Sequence, residues 1–107
     1  MIISGGENVY SIEVEDAVMA HPSVLECAVI GVPDEKWGER VHAAVVLKPG
    51  QFLDAEALIV HCKERIAGFK SPRSVEFLGE LPRSGAGKIL KRDLRDRHWS
   101  AEGRQIH

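Results

Sequence analysis

The sequence predicts a small α+β domain: a three-stranded sheet with helices packed on it, and a short β segment at the N-terminus. Three observations lead there. The chain has 107 residues, enough for one domain, and at 44% apolar and 28% charged it has the side chains for a core. Two β-branched apolar runs, 24–32 (VLECAVIGV) and 41–47 (VHAAVVL), read as adjacent buried strands. Two other stretches carry apolar residues at helical spacing and read as amphipathic helices that cover those strands.

Taken in order, Ile2 and Ile3 form a short apolar strand that breaks at Ser4-Gly5-Gly6, where paired glycines allow a close approach to the backbone. Over 11–20, Val14, Ala17 and Val18 share one helix face, acids crowd the first turn, and Pro22 ends the run. The two strands follow, joined by a turn at Pro33-Asp34 and a polar loop over 35–40. Lys48-Pro49-Gly50 is turn chemistry. Asp54 then caps a helix whose Ala55, Leu58, Ile59, Cys62 and Ile66 lie on one side. Residues 74–78 (SVEFL) are the third strand, and 81–87 is a loop rich in Pro and Gly. A charged helix over 91–98 turns Leu90 and Leu94 inward. Residues 1–99 therefore form the domain, and 100–107 read as a mobile tail with little to bury.

Charge and composition exclude several function classes. The net charge of −2 creates no global attraction for nucleic acid or anionic lipid. A local excess does occur over 82–97, where six bases face only Asp93 and Asp96, so an anionic partner near that segment is expected. The same two acids interrupt the basic run, and with few aromatic residues nucleic-acid binding is not expected. No apolar run approaches the length of a membrane span. Cys27 and Cys62 sit inside apolar periodic runs and read as free core thiols, so a reducing, cytoplasmic setting is expected. The five histidines are far apart in sequence with no metal-binding spacing, so no metal site is expected. No serine lies in a G-x-S-x-G elbow, which argues against hydrolase chemistry.

Some residues do suggest a site. In PRSGAGK, 82–88, Lys88 follows a glycine loop and could reach an anion or simply be solvated. The segment is no P-loop, because Pro82 and Ile89 stand where that motif needs Gly and Ser or Thr. Trp37, flanked by Lys36 and Arg40, can serve packing or stack on a planar ligand, and Phe69 with Lys70 and Arg73 poses the same choice.

Four segments together, MIISGGENVYSIEVE at 1–15, GVPDEKWGERVHAAVVL at 31–47, FKSPRSVEF at 69–77 and PRSGAGKILKRDLR at 82–95, resemble the C-terminal domain of the acyl-adenylating, AMP-forming enzymes. That superfamily includes acyl- and aryl-CoA synthetases, luciferases and the adenylation domains of peptide synthetases. The resemblance implies a small lid that closes in two orientations over a large N-terminal domain holding ATP, Mg²⁺ and a small carboxylic acid. Met1 falls just after the family's hinge position, so the hinge and the large domain are expected outside this chain, and the 107 residues alone are expected to be inactive.

Residue by residue, the resemblance makes Lys88 the catalytic lysine of adenylation, with Gly85 and Gly87 supporting its loop and Ile89 and Leu90 anchoring it. It places Gly5, Gly6 and Glu7 on the channel for the pantetheine arm of CoA, and Trp37, Phe69 and Arg73 at the CoA nucleotide. Ser11 and Ser71 depart from relatives that carry proline and a further base there, and Ser71 bears on the nucleotide grip. ATP, Mg²⁺ and CoA are implied as co-substrates of the intact enzyme, none held tightly by this domain alone. An acyl-CoA synthetase is the reading favoured. Its alternatives are an adenylation domain serving a carrier protein, and a standalone CoA- or nucleotide-binding or docking module.

Overall fold

The computed structural model describes residues 1–106, with side chains through Trp99. The chain begins with a hairpin of β1 (Ile2–Ser4) and β2 (Glu7–Val9), whose two-residue turn is Gly5-Gly6. Both glycines have positive φ, 59° and 84°, as the turn type that suits the right-handed twist of paired strands requires. Helix α1 (Ser11–Met19) follows, then a long antiparallel pair, β3 (Val24–Asp34) and β4 (Gly38–Leu47). Helix α2 (Ala55–Lys63), a 3₁₀ turn over Gly68–Lys70, strand β5 (Ser74–Phe77) and helix α3 (Lys91–Ile106) complete the order.

The sheet has five strands, not the three expected. Strands of three residues carry too little periodicity to register in sequence, so the β1–β2 hairpin read only as one short β segment. β4 is the organising strand. One edge pairs with β3 along its length, and the other is shared between β1, through Ser4 opposite Gly38, and β5, which runs parallel over 42–45. The expected loop over 35–40 shrinks to 35–37, because the Asp34 carboxylate accepts the backbone N–H of Lys36 at 2.8 Å and of Trp37 at 2.9 Å. Such an Asx turn reverses the chain within a few residues. α3 runs past the expected end at His98. The mobile tail expected over 100–107 falls where the side chains lie outside the described residues.

Helices cover both faces of the sheet, which is why β3 and β4 are apolar without alternation. On one face Val14, Ala17 and Val18 of α1 and Leu58 and Cys62 of α2 pack on Val29, Val41, Ala43 and Val45. On the other, Leu94 of α3 and Leu81 pack on Ala28, Ile30, Val32, Ala44 and Val46. Cys27 and Cys62 are buried, free thiols. No helix among the described residues is long and apolar enough to cross a membrane.

Candidate functional site

Turn geometry brings Gly5, Trp37 and Arg73 together. The Gly5 N–H donates to the Trp37 carbonyl at 3.0 Å, and a Cβ on Gly5 would stand 2.5 Å from Trp37 Cε3. The indole therefore occupies the space that only a glycine leaves. The Arg73 guanidinium carbon lies 4.4 Å from the Trp37 ring centre and the Lys36 ammonium 5.1 Å, both within cation–π range. Arg73 is placed by its own N–H, which donates to the Val41 carbonyl at 2.8 Å. Beneath the loop, the Trp37 N–H above all, with that of Lys36, holds the Asp34 carboxyl below its ordinary range against the opposing effect of desolvation. Gly6 and Glu7 are exposed, and nothing lies within 4 Å of where a Gly6 Cβ would be.

Phe69 is exposed, with the Lys70 ammonium 5.7 Å from its ring centre. Among the described residues it makes no aromatic pair with Trp37. The turn that carries it borders an open cavity of about 290 Å³ lined by Ile59, Lys63, Gly68, Ser71, Pro72 and Arg73. The Ser71 hydroxyl is buried there without a hydrogen-bond partner among the described residues. A cavity with two cations and an unsatisfied hydroxyl suits an anionic, hydrogen-bonding ligand.

The lysine loop is a closed hairpin. Arg83 and Ile89 form an antiparallel bridge, Ser84 N–H donates to the Lys88 carbonyl at 2.8 Å, and Leu90 N–H to the Pro82 carbonyl at 2.8 Å. Inside it the Ser84 hydroxyl accepts from the N–H groups of Ala86 and Lys88. Gly87 completes the reversal at φ 84°, whereas Gly85 sits in open space at a conformation any residue could adopt. Arg83 spans the loop, donating to the Gly87 carbonyl and pairing with Glu26. Leu81 on one side is buried and Ile89 on the other packs against the same core. Lys88 is exposed, and among the described residues no ion pair or side-chain hydrogen bond engages its ammonium. Nor does any such bond tie this loop to the Gly5–Trp37–Arg73 group.

One cluster escaped the sequence. His42, Glu76 and His98 converge between the sheet and α3, their ligand atoms within 4.8 Å of one another. The parallel register sets His42 beside Ser74, and Glu76 follows two residues on along the same face of β5. His98 lies one helical turn beyond Leu94, which is buried on that same face. Separations of 34 and 22 residues hide this from any spacing rule. The one available signal was a histidine inside an otherwise apolar buried strand.

A family model described as the AMP-binding enzyme C-terminal domain matches residues 13–88. A feruloyl-CoA synthase of an Amycolatopsis species is 52% identical over 97 residues, which are 91% of this chain and 20% of the relative. A fatty acid acyl-carrier-protein ligase of Streptomyces coeruleorubidus is 45% identical over 106 residues, 99% of this chain and 20% of the relative. Among solved structures, an acyl-CoA synthetase of Brucella canis superposes with a TM-score of 0.89 at 36% identity, over 94% of this chain and 19% of that one. The chain thus spans about a fifth of the length of the curated relatives it matches.

Proposed function

The chain belongs to the AMP-binding enzyme C-terminal domain family, and from that premise we propose that it is the lid of an AMP-forming acyl-CoA synthetase. The observation that carries the reading is the exposed Lys88 ammonium on a hairpin already closed by its own backbone. In the first half-reaction a carboxylate oxygen attacks the α-phosphorus of ATP, the bond to pyrophosphate breaks, and acyl-AMP forms. Negative charge gathers on the phosphoryl oxygens as the bond forms. An ammonium held on an ordered loop stabilises that charge without reorganising. ATP and Mg²⁺ are held by the large domain of the intact enzyme, which also holds the acid.

In the second half-reaction the CoA sulfur attacks the acyl carbon and AMP leaves. The proposed surface for this step is the Gly5-Gly6 turn with Glu7, Trp37, Phe69 and Arg73. Gly6 offers an unobstructed backbone for a thin pantetheine arm. Arg73 stacked on Trp37 combines a flat apolar face with a guanidinium that pairs with phosphate. Gly5 has a supporting part, since its contact is with Trp37. A carrier protein as acceptor is the second reading, and the relative from Streptomyces coeruleorubidus favours it. A cytoplasmic setting fits the two free thiols.

The test uses the full-length enzyme that carries this domain. Lys88→Ala lowers acyl-AMP formation from acid and ATP by about 10²–10³-fold, while thioester formation from supplied acyl-AMP is largely kept. Equal loss in both steps removes the division of labour. Offering CoA and a carrier protein to the same acyl-AMP decides between the two acceptors.

A further inference from the structure

We propose that His42, Glu76 and His98 form a binding site for one divalent transition-metal ion of the Zn²⁺ class, which clamps α3 to the sheet. The three ligand atoms are His42 Nε2, Glu76 Oε1 and His98 Nε2. Glu76 Oε1 lies 3.1 Å from His42 Nε2 and 3.3 Å from His98 Nε2. Tetrahedral ligands at Zn²⁺ bond lengths of about 2.0–2.1 Å lie about 3.3 Å apart, so two of the three edges are already the right length. The third, between the histidines, lies within 4.8 Å and closes by rotation of the partly exposed His98 side chain.

Groups behind the site prepare its least mobile ligand. His42 is 4% exposed. Its Nδ1 lies 2.6 Å from the Ser74 hydroxyl, which also accepts from Arg40 Nε at 3.0 Å. When Nδ1–H donates to Ser74, Nε2 is left to bind a metal in place of its present hydrogen bond to Glu76 Oε1, the arrangement in which metal-bound imidazoles are usually held. Burial, the largest influence on His42, favours the neutral ring a metal requires. The carboxylate is partly exposed, so an ion can enter from solvent and keep a water as its fourth ligand. Arg97, 3.9 Å from Glu76 Oε1, is more than half exposed and free to swing away from an incoming cation. Two imidazoles and one carboxylate suit Zn²⁺ or Co²⁺ and not Mg²⁺, which prefers oxygen ligands. The site is thus separate from the Mg²⁺ that accompanies ATP. The inference does not depend on the proposed ligase reaction, because its ligands lie outside the lysine loop and the Gly5–Trp37–Arg73 group.

Chelator-treated chain is titrated with Co²⁺, followed by the visible absorption of four-coordinate cobalt, and with Zn²⁺, followed by calorimetry and thermal unfolding. Expected are one equivalent bound, a raised Tm with Zn²⁺, and no shift with Mg²⁺. His98→Ala removes a partly exposed side chain from the outer helix, so the fold, checked by circular dichroism, survives while Co²⁺ affinity falls about tenfold or more. Ser74→Ala leaves all three ligands yet weakens binding about 10- to 100-fold, the usual cost of losing a partner that orients a ligand. His61→Gln leaves binding intact, since His61 Nε2 is engaged with the Ala17 carbonyl in a separate pair with His21. Absence of saturable binding to the unmutated chain, or binding that His98→Ala leaves unchanged, overturns the proposal.

Discussion

At Gly5 a methyl group would meet the Trp37 ring at 2.5 Å, while at Gly6, one residue on, it would meet nothing. Both have positive φ, so either substitution forces an L side chain into the left-handed region, at a cost of about 1–2 kcal/mol. Gly5→Ala must also displace the indole that Arg73 stacks on. Gly5→Ala is therefore expected to destabilise more than Gly6→Ala, with altered tryptophan emission only in the former. Paired denaturant melts and emission spectra check this, and equal losses would mean that Trp37 yields without cost. The glycine pair announced a close approach in sequence, but not its partner. In sequence Trp37 reads equally as packing or as ligand stacking, because both use the same aromatic face. Its edge packs on Gly5 and its face meets Arg73, so intramolecular packing accounts for the position whatever else binds there.

For the elements, patterns were legible where they were long and hidden where they were short or non-local. β3 and β4 announced themselves by β-branched runs, and α1 and α2 by helical spacing with clear end signals. Asp54 is one such signal, its carboxylate accepting the Ala57 N–H at 2.7 Å. Asp54→Ala is expected to cost about 1 kcal/mol, visible as a lower midpoint in urea with an unchanged slope. A changed slope would mean that the cap alters more than the helix end. The lysine loop is a mixed case. Its glycines suggested reach, whereas the Ser84 hydroxyl and the Arg83–Ile89 bridge hold it closed. Neither of those two features follows a composition rule, because one is a backbone bridge between residues six apart and the other is a hydroxyl meeting two backbone N–H groups.

Across the whole molecule, α1 and α2 on one face of the sheet seal both thiols inside. Burial above all, aided by Glu15, pushes the Cys27 thiol up from near 9.0 to about 12, and burial pushes Cys62 to about 11. An acid whose pKa is raised by folding keeps its proton in the native state while the unfolded chain loses it. Its stabilising contribution is complete below pH 9 and is lost as pH rises toward 11–12. Tm should therefore fall progressively above pH 9 and fall less in a Cys27→Ala, Cys62→Ala double variant, and an unchanged alkaline slope in that variant would show that other groups set it. Alone, the sequence determined the α+β class, the two central strands, the helices that cover them, the free thiols and the lysine loop, because each is written in local periodicity or in a contiguous motif. Only the tertiary structure decided that β4 gathers five strands, that Gly5, Trp37 and Arg73 meet, and that His42, Glu76 and His98 converge. The reason is physical: strand register and helix packing join residues tens of positions apart, and no local pattern records which ones.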